Sequence, residues 1–290
     1  FQDQATYIRV FVPSNDYVQV FDNQFSQTVN LRPSAVWRDV EGIRKFLARF
    51  SNTTAIRIDQ KLSSGDQLAS YNPFAGSVAD SVLIASNSSI RNSVFFNRTS
   101  GVFKMEYTYQ NLRNKTLLAN GFDSRFNEFH AVTVLWTIER KFTLQADIER
   151  GIRANDADYV SGRNFTINYY QIQPEITFQP GQQFRLSARG RYGEKFNRLE
   201  TAEYASVGRI ESQVRYNFGK RGSLDATLSY IKINYTGETN SAIAFEMLEA
   251  LQPGNNFTWS ASVQTNISKS LQLSLNYNGR SSENARVIHT

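Results

Sequence analysis

The stretch Phe142-Thr-Leu-Gln-Ala-Asp-Ile-Glu149 decides the fold class, because apolar and polar side chains alternate along it without a break. In an extended chain, successive side chains point to opposite sides. One side of this segment therefore carries Phe142, Leu144, Ala146 and Ile148, and the other side carries polar residues. Strict alternation of this kind predicts a β-strand with one apolar and one polar face.

The same alternation recurs along the chain, at 103–110, 184–191, 203–218, 257–264 and 271–278. These segments run about 9–15 residues, whereas strands of soluble proteins average about 5–6 and tilted membrane strands need about 9–11. Strands of this length, repeated many times, indicate a sheet that crosses a bilayer.

Composition removes several classes of protein. The chain has no cysteine, so disulfide frameworks, thiolate catalysis and cysteine zinc sites are excluded. Mean hydropathy is −0.44, and no apolar run reaches the roughly 18 residues of a membrane helix, so a helical membrane protein is also excluded. Aromatic residues make up 13%, which fits the interfacial girdles of a membrane barrel.

The net charge of +6 suits either nucleic acid or anionic lipid head groups. In the segment 184–192, aromatic residues and arginines fall on opposite faces, which disfavours stacking on bases. We therefore expect no nucleic-acid partner. The expected partners are outer-membrane lipid, lipopolysaccharide and other envelope proteins.

Connections of two lengths alternate along the sequence. Tight turns are predicted at 139–141, 180–182, 219–222 and 268–270, and longer polar loops at 113–127, 153–163, 193–203 and 236–243. Short turns at one end and long loops at the other are typical of a transmembrane antiparallel up-and-down β-barrel, with the short turns periplasmic. The fold class predicted is therefore all-β, with about 12–14 strands in this chain.

The first third of the chain is less regular. Short strands are expected at Tyr7–Val12 and Tyr17–Phe21, and a loop at 63–80. Residues 34–50 fit either a helix, through the spacing of their apolar residues, or a strand, turn and strand with the turn at Gly42. We favour the second. Residues 1–290 then form one outer-membrane barrel domain, with 1–80 less regular and 81–290 in regular long hairpins.

Closure of the sheet follows from the cost of unpaired backbone groups in hydrocarbon. The alternation then assigns the two faces. The residues predicted to face the lumen are Asp147, Glu149, Arg185, Arg189, Arg191, Arg209, Glu211, Arg215 and Asp225. Those predicted to face lipid are Phe142, Leu144, Ile148, Phe184, Leu186, Phe257, Trp259, Val263, Leu271, Leu273 and Leu275.

The end of the chain carries a family resemblance. Leu251-Gln-Pro-Gly-Asn-Asn-Phe-Thr-Trp259, Asn276-Tyr-Asn-Gly-Arg280 and Val287-Ile-His-Thr290 resemble the C-terminal end of large, mostly uncharacterised outer-membrane proteins of Bacteroidota. Leu31–Trp37 and Gly42–Leu47 are similar to upstream parts of the same group. The resemblance implies the last hairpins of a barrel, at least one further strand beyond Thr290 and a large region before Phe1.

Three functions remain open from the sequence. A non-enzymatic barrel that anchors or scaffolds a larger envelope protein or complex in the outer membrane of a Gram-negative bacterium is favoured. The alternative is a pore or transporter with an arginine-rich lumen. A barrel hydrolase would need a base, and His130, expected near a strand end, lacks a local nucleophile and orienting acid. We therefore predict no catalytic, cofactor or metal site, with a soluble β protein as the remaining reading.

Overall fold

The computed structural model describes residues 19–37, 40–63, 79–199, 203–268, 271–283 and 285–289. It is an all-β structure in which thirteen antiparallel strands follow one another in chain order across a single sheet. The strands are β1 Phe21–Leu31, β2 Phe50–Leu62, β3 Leu83–Phe96, β4 Phe103–Leu118, β5 Gly121–Ile138, β6 Phe142–Ala157, β7 Phe165–Phe178, β8 Phe184–Asn197, β9 Tyr204–Asn217, β10 Gly222–Thr236, β11 Gly254–Asn266, β12 Gln272–Ser282 and β13 Ala285–His289.

This architecture confirms the predicted all-β meander and its strand number. Each alternating segment lies in a strand to within one residue at either end, and the tight turns predicted at 139–141, 180–182 and 219–222 join β5 to β6, β7 to β8 and β9 to β10. Part of the turn predicted at 268–270 and most of the loop predicted at 63–80 lie outside the described residues. The short strand predicted at Tyr7–Val12 also lies outside them, as does the start of the one at Tyr17–Phe21.

The predicted long loop at 113–127 is wrong. Strand β4 continues to Leu118, and β5 begins at Gly121 after a two-residue turn. The loops at 153–163 and 193–203 are likewise shorter than predicted, because β6 extends to Ala157 and β8 to Asn197. These strand ends carry polar residues on both faces, so the alternation that signals a strand is lost there while the backbone pairing continues.

The interpretation of 34–50 as strand, turn and strand is also wrong. A 3-10 turn covers Pro33–Ala35, and a short helix, α1, covers Ile43–Leu47. Gly42 precedes the helix with a φ of 65°, a conformation that glycine adopts at low cost. The ring of Phe46 then packs 5.4 Å from that of Phe50 and 5.9 Å from that of Phe96, measured between centroids. The helical spacing was therefore the correct signal.

Neighbouring strands are staggered in one direction. The row of directly opposed residues that starts at Phe50, the first residue of β2, reaches Ser281, the tenth residue of β12. That is nine positions over ten strand-to-strand steps. With a rise of about 3.3 Å per residue and a spacing of about 4.8 Å between strands, the stagger corresponds to a strand tilt of about 30°.

The sheet is open in this structure. Among the described residues, each strand pairs only with its neighbours in sequence, so β1 and β13 form the two edges. A second short helix, α2 (Ala242–Met247), lies between β10 and β11. No helix in the described part of the chain is long and apolar enough to cross a bilayer.

Candidate functional site: the polar face and the loop folded onto it

Strand register gathers the residues predicted to face the lumen on one face of the sheet. Directly opposed residues of antiparallel strands share a face. Arg185, Arg189 and Arg191 oppose Arg215, Glu211 and Arg209, and Arg215 opposes Asp225 on β10. Register through β7 places Asp147 and Glu149 of β6 on the same side. We call this side the polar face.

The opposite side, the apolar face, carries the residues predicted to contact lipid. Ten of them are paired within strands on this face: Phe142, Leu144, Ile148, Phe184, Leu186, Phe257, Trp259, Val263, Leu273 and Leu275. Leu271 instead lies in the turn before β12, where its carbonyl accepts a hydrogen bond from the Ile267 amide. Large apolar side chains on this face are exposed, and Ile210 and Leu228 keep 67% and 58% of their surface.

Aromatic residues form two bands on the apolar face. The lower band lies at the short-turn end of the strands and includes Phe50, Phe103, Trp136, Phe142, Phe178, Phe184 and Tyr216. The upper band includes Tyr109, Tyr170, Tyr192, Tyr230 and Phe257. Above the upper band the same face becomes polar, with Glu128, Glu194, Lys232 and Asn255.

Ion pairs and hydrogen bonds join the charged groups of the polar face into a ladder. Arg189 donates to Glu175 at 2.6 Å and to Glu211 at 3.4 Å. Nearer the short turns, the Arg215 Nε donates to Asp225 at 2.8 Å. On the other flank, Thr133 donates to Asp147 at 2.6 Å and Tyr169 to Glu149 at 2.7 Å. These contacts satisfy the charges locally and hold the side chains against the strands.

The β10–β11 loop, residues 237–253, folds back onto the polar face. Ser241 caps helix α2, and its hydroxyl accepts from the Ala244 amide at 3.1 Å. The helix buries Ile243, Ala244 and Met247, followed by Leu248. These side chains pack against apolar residues of the strands, namely Ile167, Ala205, Val207, Ile231 and Ile233. This small core sits at the long-loop end of the polar face.

Two carboxylates of the loop bind basic side chains of the strands. Glu246 accepts from Arg153 of β6 at 3.0 Å. Glu249 accepts a hydrogen bond from Arg191 and one from Lys195 at 3.1 Å, and it lies 3.5 Å from Arg209. Lys195 also donates to the Met247 carbonyl at 3.0 Å.

The electrostatics of Glu249 follow from these neighbours. Burial raises the pKa of the Glu249 carboxyl. The charges of Lys195 and Arg191 and their hydrogen bonds together lower this pKa by more than burial raises it, so it lies below the ordinary value. The carboxylate is therefore held ionised at the centre of a cationic cluster.

The sequence analysis missed Arg153, Lys195, Glu246 and Glu249. A signal was present in β10, where Ile231 and Ile233 stand on the polar face and interrupt its polar series. Apolar residues at such positions indicate that something covers the face there. The buried residues Ile243, Ala244, Met247 and Leu248 have helical spacing and supply that cover.

The expectation that His130 lies near a strand end is wrong. His130 is the tenth of eighteen residues in β5. The difference arises because β5 begins at Gly121 rather than after a long loop. His130 lies on the apolar face near the upper aromatic band, and its Nδ1 is 2.7 Å from the Tyr107 hydroxyl.

Comparison with models of known protein families gave no match, and comparison with curated proteins gave none either.

Proposed function

We propose that this chain belongs to an outer-membrane β-barrel of a Gram-negative envelope, and that the barrel anchors or scaffolds a larger envelope protein or complex. The observation that carries the proposal is the apolar face between two aromatic bands. An exposed face of this size in water would be an association or aggregation surface. In an outer membrane it is the surface that meets acyl chains and interfacial head groups.

The height of the apolar face fits a bilayer. Phe184 of the lower band and Tyr192 of the upper band lie eight positions apart on β8. Eight residues rise about 26 Å along a strand, or about 23 Å after a tilt of about 30°, close to the apolar band of about 25 Å on membrane barrels. The polar residues above Tyr192 then extend into the aqueous phase, which explains why the strands exceed the length needed to cross.

The cumulative stagger supports closure. A sheet closes into a barrel only when its strands tilt and their register shifts accumulate into a net shear. The stagger from β2 to β12 accumulates without reversing, although some steps add none, and a tilt of about 30° is near the range of about 35–45° seen in membrane barrels. In the proposed barrel, further pairing at the β1 and β13 edges removes the unpaired amides and carbonyls that hydrocarbon does not tolerate.

An anchoring role is supported by how the polar face is used. Its charges pair with one another, as in Arg189 with Glu175 and Glu211, and the β10–β11 loop packs an apolar core against it. These contacts make the inner wall rigid. They stabilise a scaffold in the membrane more directly than they serve a substrate path.

Reconstitution tests the proposal. The refolded protein is mixed with liposomes, floated on a density gradient and then washed with alkaline carbonate. We expect it to float and to resist the wash, with no steady conductance in planar bilayers. A protein that remains soluble and monomeric in buffer, or that the carbonate removes, would contradict the proposal.

A solute pore is the second candidate. It is favoured by Arg185 and Arg215, which oppose each other across β8 and β9 and line a cavity of about 140 Å³ with Ser187 and Gln213. A conducting protein whose anion preference falls in Arg185→Gln would establish this role. Conductance insensitive to Arg185→Gln would count against it.

A further inference from the structure

The cationic cluster beneath the β10–β11 loop has the composition of a binding site for an anionic group. Arg191 of β8 and Arg209 of β9 are directly opposed on the polar face, and Lys195 follows on β8. Like charges directly opposed across a strand pair destabilise the sheet. Such a pair is tolerated when an anion lies between its members, and the Glu249 carboxylate takes that place.

The site retains unused capacity. A cavity of about 100 Å³ lies between the loop and the sheet, lined by Arg153, Tyr169, Gln171, Arg191, Lys195 and the two loop glutamates. Arg209 does not line this cavity but lies 3.5 Å from Glu249, and its buried Nε makes no hydrogen bond within the described part of the chain. A guanidinium presents donors in a fixed planar array that matches carboxylate and phosphate oxygens. The cluster therefore offers more donors than Glu249 occupies.

The backbone that presents Glu249 is strained. Glu249 and Ala250 both adopt left-handed conformations, with φ of 57° and 59°. Residues with a Cβ rarely adopt this conformation, and the strain persists only where surrounding contacts enforce it. The ionic contacts of Glu249 are among these contacts, together with hydrogen bonds that the Ala250 and Leu251 amides donate to the Phe245 and Leu248 carbonyls. Helix α2 is held in addition by its apolar core. Release of the Glu249 side chain therefore removes one of the contacts that enforce the strain and leaves the apolar core of the helix intact.

We propose that Arg191, Lys195, Arg209 and Arg153 form a binding site for an anionic oxygen group, carboxylate or phosphate, and that Glu249 is its displaceable internal occupant. The external anion replaces the Glu249 carboxylate, and residues 249–250 swing away from the polar face. The site lies at the long-loop end of the sheet. It extends from Arg191, next to Tyr192 of the upper aromatic band, to Lys195 above that band. This role goes beyond anchoring and does not depend on it.

Calorimetric titration of the refolded protein in detergent micelles tests the site, with inorganic phosphate and acetate as the two probes at fixed ionic strength. An internal competitor lowers the apparent affinity by the fraction of molecules in which the site is free. We therefore expect Glu249→Gln to bind one or both anions about tenfold more tightly than the unmodified protein. Phosphate and acetate arms distinguish the two oxygen chemistries.

Two controls fix the assignment. Glu238→Gln removes a carboxylate from an exposed position of the same loop and leaves the affinity within about twofold. Adding Arg209→Gln to Glu249→Gln abolishes the gain, because the freed site loses one of its cations.

Ala250→Gly provides a measurement that does not depend on the folding of the glutamine variant. Glycine adopts the left-handed conformation without penalty, which stabilises the closed state and weakens anion binding by about fivefold. Equal affinities for Glu249→Gln, Ala250→Gly and the unmodified protein would overturn the proposal. Because micelles replace the bilayer, such a failure would leave the membrane role intact.

Discussion

Arginine substitutions at two positions of β7 separate a lipid-facing surface from a water-facing one. Ile176 and Tyr170 lie on the same strand and the same apolar face, six positions apart. Their exposed fractions are nearly equal, at 45% and 42%. In water, substitutions at such exposed positions change the free energy of unfolding by about 0.5 kcal/mol or less. A surface protein would therefore tolerate Ile176→Arg and Tyr170→Arg equally well.

In a bilayer the two positions differ in depth. Ile176 lies between the aromatic bands, whereas Tyr170 lies in the upper band, about 20 Å away along the strand. Arginine on the lipid face costs about 2–4 kcal/mol near the midplane and about 0–1 kcal/mol near an interface. Ile176 lies two positions inside the lower band at Phe178, so its cost should be intermediate, about 1–3 kcal/mol. We therefore expect Ile176→Arg to lower the folding equilibrium constant by about 5-fold to 150-fold and Tyr170→Arg by about fivefold at most.

The assay is equilibrium folding into liposomes, followed by tryptophan fluorescence and by the mobility shift of folded barrels on gels. Gln173→Arg is the matched control, because Gln173 lies on the polar face of the same strand opposite Asp147. Gln173→Arg should leave the free energy of unfolding unchanged or raise it, which means that the protein becomes no less stable. Costs for Ile176→Arg and Tyr170→Arg that agree within about 0.5 kcal/mol would refute the depth argument.

Three further outcomes follow from the packing and charges. Because the pKa of Glu249 is lowered in the folded protein, its carboxylate stabilises the loop fully above about pH 4.3. That stability is lost as the pH falls through the folded-state value, since Arg191, Lys195 and Arg209 then lose their counterion. A fluorophore on Gln252→Cys, an exposed position just after Glu249, should report the release on acidification, and the same acid response in Glu249→Gln would contradict it. Met247→Ala removes a fully buried side chain and should cost about 2–5 kcal/mol of loop stability, measured as faster hydrogen exchange in α2, whereas Phe245→Ala, at an exposed position, should leave exchange unchanged. A Cβ at Gly279 would approach the Trp259 ring to 2.3 Å, so Gly279→Ala should destabilise the β11–β12 pair by about 1–3 kcal/mol in denaturant titration, and a neutral effect would show that the ring moves freely.

The parts of the fold that the sequence predicts are those in which each face has one chemical character. Between the aromatic bands, one side of β6 carries Phe142, Leu144 and Ile148 while the other carries Asp147, so the alternation is strict. Above the upper band both faces are polar, and Asn111 and Arg113 of β4 follow the same strand with no alternation to mark it. For this reason a loop was predicted from the sequence at 113–127, where β4 and β5 continue.

The ionic site could not be predicted from local patterns. Glu249 lies 58 residues from Arg191 and 54 from Lys195 in sequence, and strand register together with the fold of the loop brings them together. The sequence signal for the covering loop was limited to apolar residues at polar-face positions, such as Ile231, Ile233 and Val207. Residues 34–50 were ambiguous because their apolar spacing fits both periods, and the contacts of Phe46 with Phe50 and Phe96 favour the helix.

Spin-label accessibility along β8 tests most directly whether the apolar face meets acyl chains. The chain has no cysteine, so single cysteines at 184–192 can each be labelled alone. In liposomes we expect high oxygen accessibility at even positions such as Leu186 and Ala188, and high accessibility to a water-soluble nickel reagent at the exposed odd position Arg185. Equal accessibility to the nickel reagent on both faces would contradict the account.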